Sequence, residues 1–259
     1  MQGQSDYTPL KQKHISGILR TCQYGLNPKE WSHDDVLFVD CTAGSGYTED
    51  GQEGSPLIVN GFARTSYVEK FKHLCCEIDK KDFQKLKSHA GKLKNATIEQ
   101  GDYRDIAPAW LDAQNNKKPA LGIIYCDPNG ARDLLHGVDM FKSIAADRRF
   151  SGMDFLFHFS LHAYKRNHEA GTIWADKDII AVTDELASFK KYAYLRLPTG
   201  RWQWVIMHLL NTDKVKPEWK TEKVIAYEQW KAEQAKHMQR GLFDQPDLMT
   251  PLTETMQSI

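Results

Sequence analysis

The sequence predicts an α/β fold built on a mostly parallel sheet of seven strands, with an antiparallel hairpin at its C-terminal end. Seven short apolar runs occur along the chain, and the first five are separated by longer polar stretches with helical spacing. This alternation is typical of parallel strands joined by crossover helices. The last two runs are joined by Pro198-Thr199-Gly200-Arg201, which predicts a turn and therefore a hairpin.

The seven runs are continuous in apolar residues, as expected of strands that are buried on both faces of a sheet. They occupy residues 36–40, 73–77, 96–100, 121–127, 154–160, 192–197 and 203–210. Phe83 and Leu86 lie three residues apart on a charged background and predict a helix over residues 80–90. Apolar residues at helical spacing predict a second crossover helix over residues 134–146.

The chain is expected to divide into four segments. Residues 1–30 carry apolar side chains at helical spacing and predict a helical lead-in, and residues 31–212 make up the sheet domain. Residues 213–240 predict a charged C-terminal helix, which starts near position 218. Residues 241–259 contain prolines and many small polar residues and predict a flexible tail.

Composition and charge favour a globular protein. Of the 259 residues, 41% are hydrophobic and 26% are charged, which argues against wholesale disorder. Basic and acidic residues balance at 34 each, so a uniformly basic nucleic-acid-coating protein is not expected, although a local basic groove is compatible. No apolar run approaches the roughly 18 residues that span a bilayer, and residues 1–14 do not have the pattern of a secretory signal.

The five cysteines predict reduced, buried thiols. Cys22, Cys41, Cys75, Cys76 and Cys126 form no CxxC pair, and their number is odd. Without metal-ligand spacing or an even number for disulfides, they indicate no metal site and a cytoplasmic location.

The strongest functional signal is the glycine loop that follows the first predicted strand, with the sequence Asp40-Cys41-Thr42-Ala43-Gly44-Ser45-Gly46. Glycines allow a ligand to approach the backbone, and loops at the carboxyl ends of parallel strands line the binding crevice of such sheets. A dinucleotide site would need a third glycine at position 49, where the sequence has a glutamate. The loop therefore favours a cofactor without phosphates, such as S-adenosyl-L-methionine, unless it is only a tight turn.

Three further acids follow predicted strands. Glu77 is placed to accept hydrogen bonds from ribose hydroxyls, Asp102 from the adenine amino group, and Asp127 ends the fourth run. Successive members of this set are 25 residues apart, close to one strand–helix unit. Each acid alone could instead cap the following helix. Asp40 and these three acids lie at the carboxyl ends of four successive strands, however, and together they favour a ligand site at one edge of the sheet.

A polar loop at residues 47–54 lengthens the interval between the glycine loop and the ribose-binding acid. Asp40 and Glu77 are 37 positions apart, whereas about 20 residues usually separate such elements. Ser55-Pro56 predicts a helix N-cap followed by a proline at the first helical position. Loop 47–54 is expected either to cover the site as a lid or to be a surface excursion.

These motifs resemble those of the three-Cys-motif partner (TcmP-like) proteins, a branch of the class I S-adenosylmethionine-dependent methyltransferases. The resemblance covers roughly residues 8–160 and rests on FVDCTAGSG, EDGQEGSPLI, CEID, GD and CDPNG, of which GSPLI is the most specific. The sequence departs from the family at Cys41-Thr42 and at Asn129, which replaces an aromatic residue. These departures leave the expected fold and cofactor intact and put the substrate in question.

The resemblance implies a class I methyltransferase-like, Rossmann-like fold and a role for each residue of the motifs. The loop residues Asp40, Ala43, Gly44 and Gly46 would line the methionine end of S-adenosyl-L-methionine, Glu77 would hold its ribose, and Asp102 with Tyr103 would hold its adenine. Asp127 would face the transferred methyl group. Methyl transfer needs in-line geometry and at most one base or acceptor. Asp127 is the candidate for that catalytic role, and Asn129 is a second orienting group.

The predicted substrate is DNA or another nucleic acid. DNA amino-methyltransferases follow their Asp-Pro with an aromatic residue that stacks on a flipped base, which Asn129-Gly130 cannot do. Basic and aromatic residues at positions 165–168 and 201–204 could instead bind phosphates and stack on bases. Alternatively, the tryptophans could pack against the sheet. The alternatives are a small-molecule methyltransferase and a catalytically silent binding protein that docks through its tail.

The segment Gln239-Arg240-Gly241-Leu242-Phe243 resembles the pentapeptide through which partners bind bacterial sliding clamps. It follows the predicted C-terminal helix and precedes the tail, so it could be free to dock. The alternative is that Leu242 and Phe243 pack against the domain. The sequence predicts no membrane partner and does not determine the oligomeric state.

Overall fold

The computed structural model describes residues 15–19, 36–48, 51–65, 71–114, 118–128, 136–160, 179–196, 204–211 and 224–239. Its strands are β1 (Val36–Asp40), β2 (Phe71–Glu77), β3 (Ala96–Gln100), β4 (Leu121–Cys126), β5 (Gly152–Ser160), β6 (Tyr192–Arg196), β7 (Trp204–Leu210) and β8 (Val224–Ala226). Its helices are α1 (15–19), α2 (Ser55–Thr65), α3 (Lys80–Ser88), α4 (Tyr103–Asp112), α5 (Val138–Ala146), α6 (Ile179–Ala187) and α7 (Tyr227–Gln239).

The strands form one sheet in the order β3-β2-β1-β4-β5-β7-β6-β8. β1 pairs in parallel with β2 and β4, and β2 pairs in parallel with β3. β6 pairs antiparallel with β7 and with β8. The sheet is therefore mostly parallel and ends in antiparallel strands, which confirms the predicted Rossmann-like, class I methyltransferase-like fold class.

All seven predicted strands are present, and their bounds differ from the prediction by at most two residues. The helix predicted over residues 80–90 is shorter than expected, since α3 ends at Ser88. α5 occupies Val138–Ala146 of the helix predicted over 134–146, and residues 134–135 lie outside the described parts of the chain. The strand count was wrong, because Val224–Ala226 forms an eighth strand where the sequence predicted helix, and α7 begins only at Tyr227. A strand of three residues is too short to show an alternating pattern, so it was not distinguishable from the helix that follows it.

The chain divides into two compact units, one with residues 1–127 and 139–156 and the other with residues 128–138 and 157–259. The core of the first unit includes the fully buried side chains of Leu37, Val39, Leu74 and Ile124, which lie on the central strands. These strands are apolar on both faces, as expected when helices cover both sides of a parallel sheet.

In the second unit, Asp184 links α6 to α7. Its carboxylate accepts hydrogen bonds from the Tyr227 hydroxyl at 2.8 Å and from Lys231 Nζ at 2.7 Å. Thr183 lies 2.9 Å from the same tyrosine hydroxyl.

The predicted burial of the thiols is confirmed for four cysteines, Cys41, Cys75, Cys76 and Cys126. None of the helices in the described parts of the chain is long and apolar enough to span a bilayer.

Candidate functional site

The loop after β1 is fastened to the strands on both sides of β1. The Cys41 amide donates to the Tyr125 carbonyl on the β4 side, and the Ala43 amide donates to the Cys76 carbonyl on the β2 side, both at 2.9 Å. Parallel strands place their carboxyl ends at the same edge, and these two bonds hold the glycine loop at that edge. The loop therefore has a fixed position in the first unit, which contains every described residue of the candidate site.

Glu77, at the end of β2, faces the glycine loop directly. Its Oε2 accepts a hydrogen bond from the Gly44 amide at 2.7 Å, and its Oε1 accepts one from the Asp79 amide at 2.8 Å. Partial burial raises the pKa of Glu77 above its ordinary value, and the two amide hydrogen bonds oppose that rise. Glu77 was predicted to lie at the sheet edge, but no pattern in the sequence predicted its hydrogen bond with the glycine loop.

Gly44 and Gly46 both require the conformational freedom of glycine. Their φ angles are +62° and +86°, which L side chains rarely adopt. A Cβ on Gly44 would meet no atom within 4 Å, so space is open beside the loop at the point where Glu77 bonds it. A Cβ on Gly46 would lie 3.1 Å from Leu86, so the second glycine allows close packing against α3.

Asp40 lies beneath the loop. Its side chain is fully buried, and its Oδ1 accepts a hydrogen bond from the Thr42 amide at 3.2 Å. Burial, and secondarily the negative charge of Asp40, raise the pKa of Cys75 and of Tyr125. The carboxylate thus stabilises the start of the loop, and its predicted contact with a cofactor stays a prediction.

Asp127 follows β4, and its backbone is held by the glycine loop. Its amide donates a hydrogen bond to Thr42 Oγ1 at 2.8 Å. Thr42 belongs to Cys41-Thr42, one of the two places at which the sequence departs from the TcmP-like motifs that it resembles, and no role was predicted for it. The contact joins residues 85 positions apart, so no local pattern in the sequence could have revealed it.

Asp102 and Tyr103, predicted to hold adenine, begin helix α4. Asp102 is the N-cap residue, and its carboxylate accepts hydrogen bonds from the Arg104 amide at 2.9 Å and from the Arg104 guanidinium. The Tyr103 ring is buried and stacks on Phe141 with a centroid distance of 5.9 Å. The capping role considered for each acid is therefore present at Asp102, and adenine binding by this pair is a prediction.

The described residues of loop 47–54 bond one another and the glycine loop. Tyr47 and Glu53 form an antiparallel bridge, and the Gly54 amide donates to the Gly46 carbonyl at 2.8 Å. The Tyr47 ring packs edge-on against His89, with centroids 4.8 Å apart, and Lys92 Nζ lies 5.4 Å from its centre. These contacts attach the described part of the loop to the end of α3.

The predicted N-cap of α2 is shifted by one residue. The helix begins at Ser55 itself, and the Gly54 carbonyl accepts hydrogen bonds from the Leu57 and Ile58 amides. A Cβ at position 54 would lie only 3.0 Å from the Gly46 carbonyl oxygen, so any larger residue there would push against the backbone of the glycine loop. Ser55 is thus in the first turn, and Gly54 takes the capping position.

Ile78 is a further candidate that sequence analysis missed. Its side chain is 68% exposed, and it follows Glu77 directly at the carboxyl end of β2. The sequence signal for Ile78 was a large apolar side chain directly after the strand-end acid Glu77, at a position that otherwise suits a polar residue. Ile78 places one exposed apolar side chain directly after the strand-end acid.

Several predicted functional residues lie outside the described parts of the chain. They are Asn129, residues 165–168, residues 201–203 and residues 240–243 of the clamp-like pentapeptide. Most of the helical lead-in and the tail at 241–259 lie outside them as well. Their predicted roles therefore stay predictions.

No protein-family model matches the sequence, and no curated protein matches it. Similar solved structures include protein LPL1258 from Legionella pneumophila, with 14% identity, coverage of 80% of this chain and 86% of that chain, and a TM-score of 0.47. The precorrin-6y C5,15-methyltransferase from Geobacter metallireducens has 12% identity, coverage of 75% and 88%, and a TM-score of 0.42. TYW2 from M. jannaschii in complex with AdoMet has 13% identity, coverage of 81% and 78%, and a TM-score of 0.42.

Identities this low bear on fold alone, and the fold assignment here rests on the strand order and pairing. The finer resemblance to the three-Cys-motif partner proteins stays a prediction from the motifs.

Proposed function

We propose that this protein is an S-adenosylmethionine-dependent methyltransferase that acts on DNA or another nucleic acid. The observation that carries the cofactor assignment is the 2.7 Å hydrogen bond from the Gly44 amide to Glu77. It joins a glycine loop at the end of β1 to an acid at the end of β2, within a Rossmann-like sheet. In such sheets this is the place where a nucleoside group binds.

The residues at this edge fit an adenosyl group. A carboxylate has about four acceptor positions, and the two amide bonds leave capacity on Glu77 for the two neighbouring ribose hydroxyls. The open space beside Gly44 leaves room for a ligand near that carboxylate. The exposed Ile78 offers an apolar surface for the flat adenine ring. These three features support a nucleoside ligand.

The chemistry expected of the chain itself is modest. When bound, S-adenosylmethionine supplies a methyl group on a positively charged sulfur, which an acceptor nitrogen or oxygen attacks in line. Asp127 is the residue proposed to orient that acceptor or take its proton, with Asn129 as a second orienting group. Thr42 fixes the backbone of Asp127 through its 2.8 Å hydrogen bond and so acts as a positioning residue.

The nucleic-acid part of the proposal depends on sequence features. Basic and aromatic residues at positions 165–168 and 201–204 suit phosphate and base contacts, and the pentapeptide at 239–243 suits docking to a sliding clamp. Transfer of labelled methyl groups to duplex DNA, single-stranded DNA, RNA and a small-metabolite extract separates this proposal from a small-molecule methyltransferase. Cofactor binding without transfer to any acceptor would identify the catalytically silent alternative.

Calorimetry with S-adenosylmethionine and S-adenosylhomocysteine tests the cofactor assignment. Glu77→Ala is expected to weaken binding by about 1–3 kcal/mol, the usual effect of removing one polar partner. Glu99→Ala is the matched control, because Glu99 is an exposed acid on the neighbouring strand β3. Equal effects of the two substitutions, or no binding by the wild type, would overturn the proposal.

A further inference from the structure

The outer surface of α3 and of the turn that follows it is rich in lysine. Residues 79–94 contain six lysines and two aspartates, although the whole chain has no net charge. All six lysines are exposed, whereas the apolar residues Phe83 and Leu86 face the core. We call this set the lysine face; it consists of Lys80, Lys81, Lys85, Lys87, Lys92 and Lys94.

The two acids in this segment neutralise little of that charge. Asp79 caps α3, and its Oδ1 accepts hydrogen bonds from the Lys81 and Asp82 amides at 2.8 and 2.9 Å. Asp82 pairs with Lys85 at 3.3 Å. Within the described residues, Lys80, Lys81 and Lys94 form no ion pair, so their ammonium groups are open to an external anion.

The lysine face starts at the same edge of the sheet as the candidate cofactor site. Only Ile78 and Asp79 separate Glu77 from the first turn of α3. A helix of nine residues is about 14 Å long, which is long enough to follow several phosphates of a nucleic-acid strand. At the other end of the helix, Lys92 lies over the Tyr47 ring of loop 47–54.

We propose that the lysine face binds the phosphate backbone of a duplex nucleic acid. The choice of a nucleic acid rests on the proposed function, while the charge and exposure of the surface come from the described structure. Lysine ammonium groups recognise phosphates as point charges and hold a duplex without reading its sequence. The lysine face would therefore contribute affinity and position rather than target choice.

An anionic membrane fits this surface less well than a nucleic acid. Helices that lie in a membrane interface combine basic residues with large apolar residues that insert among the lipids. The outward positions of α3 are lysines, Asp82, Gln84 and Ser88, and its two large apolar side chains are buried. The surface can therefore attract anionic groups, but the helix itself has no exposed large apolar side chain. Ile78, just before the helix, is a single exposed apolar residue and not the apolar face that such helices use.

The test measures binding of the full chain to a fluorescently labelled duplex DNA, without cofactor, over a series of salt concentrations. The variant Lys80→Gln/Lys81→Gln/Lys94→Gln is expected to lower affinity about tenfold or more. It should also reduce the slope of log K against log salt by about 2 to 3, since each lost phosphate contact contributes about 0.9. The variant with arginine at the same three positions should retain the wild-type slope.

The matched control removes the same charge elsewhere, through Lys142→Gln/Arg148→Gln/Lys191→Gln, all at exposed positions. It should leave the slope almost unchanged. An equal loss in both triple variants, a wild-type slope in the lysine-face variant, or no DNA binding by the wild type would overturn the proposal. Equal affinity for polyglutamate or for phosphatidylserine vesicles would also overturn it.

Calorimetry of S-adenosylmethionine binding to the same variants separates the two proposals. The lysine-face variant is expected to bind cofactor like the wild type, because none of its three substitutions lies among the residues that bond the glycine loop. Cofactor binding without DNA binding would reject the lysine face and leave the methyltransferase proposal standing. DNA binding without cofactor binding would reject the methyltransferase proposal and leave the lysine-face proposal standing.

Discussion

The amide of Gly44 donates a hydrogen bond to Glu77 Oε2 at 2.7 Å, which makes the glycine loop and the acid at the end of β2 parts of a single site. The second carboxylate oxygen accepts a hydrogen bond from the Asp79 amide, so the orientation of the carboxylate is fixed before any ligand arrives. A group held in this way loses little conformational entropy when a ligand binds. The raised pKa of Glu77 gives this arrangement a measurable consequence.

Binding of S-adenosylmethionine is expected to weaken on acidification at a higher pH than an ordinary glutamate would dictate. In the proposed complex the ribose hydroxyls would donate to the ionised carboxylate of Glu77. Burial raises the pKa of Glu77, so protonation would remove that acceptor capacity at a higher pH. Calorimetric Kd values between about pH 4.5 and 8 would show this. Glu77→Gln should bind more weakly with a flatter profile, and a flat wild-type profile would contradict the prediction.

Thr42→Val is expected to slow methyl transfer without weakening cofactor binding. Valine keeps the shape of threonine but cannot accept the hydrogen bond from the Asp127 amide, so that residue would lose its fixed position. Loss of one such bond costs about 1–3 kcal/mol. We expect kcat to fall about tenfold or more, KM for S-adenosylmethionine to change little, and the Asp127 amide to exchange hydrogen faster.

Thr42→Ser is the matched control for this prediction, because serine retains the hydroxyl and should restore both kcat and slow amide exchange. A valine variant with wild-type kcat and wild-type exchange would show that Thr42 does not position Asp127.

The contrast between Asp102 and Thr42 shows how far the sequence could predict the site. Parallel strands with crossover helices follow from local patterns, so the strands and the glycine loop were predicted nearly in place. Local patterns do not distinguish a ligand-binding acid from a helix cap. Asp102 caps α4, and its predicted contact with adenine stays a prediction. The Thr42–Asp127 contact depends on tertiary packing, which periodicity and spacing do not encode.

Gly122→Ala is expected to destabilise the protein by several kcal/mol. Gly122 lies in β4 with φ of +140°, and an added Cβ would lie 1.7 Å from the Leu37 carbonyl oxygen on β1. The two central strands would have to separate, which would disturb their parallel pairing. Urea unfolding would measure the loss. Gly61→Ala, at an exposed site in α2 with no atom within 4 Å of the added Cβ, should instead be neutral or stabilising by up to about 1 kcal/mol.

Stability is expected to decline between pH 7 and pH 4 in part because of His73. This side chain is only 1% exposed, its Nε2 lies 3.3 Å from Cys75 Sγ, and its ring packs edge-on against Phe38 at 5.2 Å. Burial lowers its pKa to about 3. The unfolded state, with a histidine pKa near 6.5, therefore binds a proton that the folded state does not bind across this range.

The sign of the effect follows from that difference in proton binding. The stability contributed by neutral His73 is fully present above about pH 6.5, decreases as the pH falls, and is lost by the folded-state pKa of about 3. At pH 5 the loss is about 2 kcal/mol. Urea unfolding of His73→Phe should show a smaller decline than the wild type over this range, whatever its stability at pH 7. His136→Gln, at an exposed histidine, should retain the wild-type decline, and equal declines in all three proteins would show that His73 is not the group responsible.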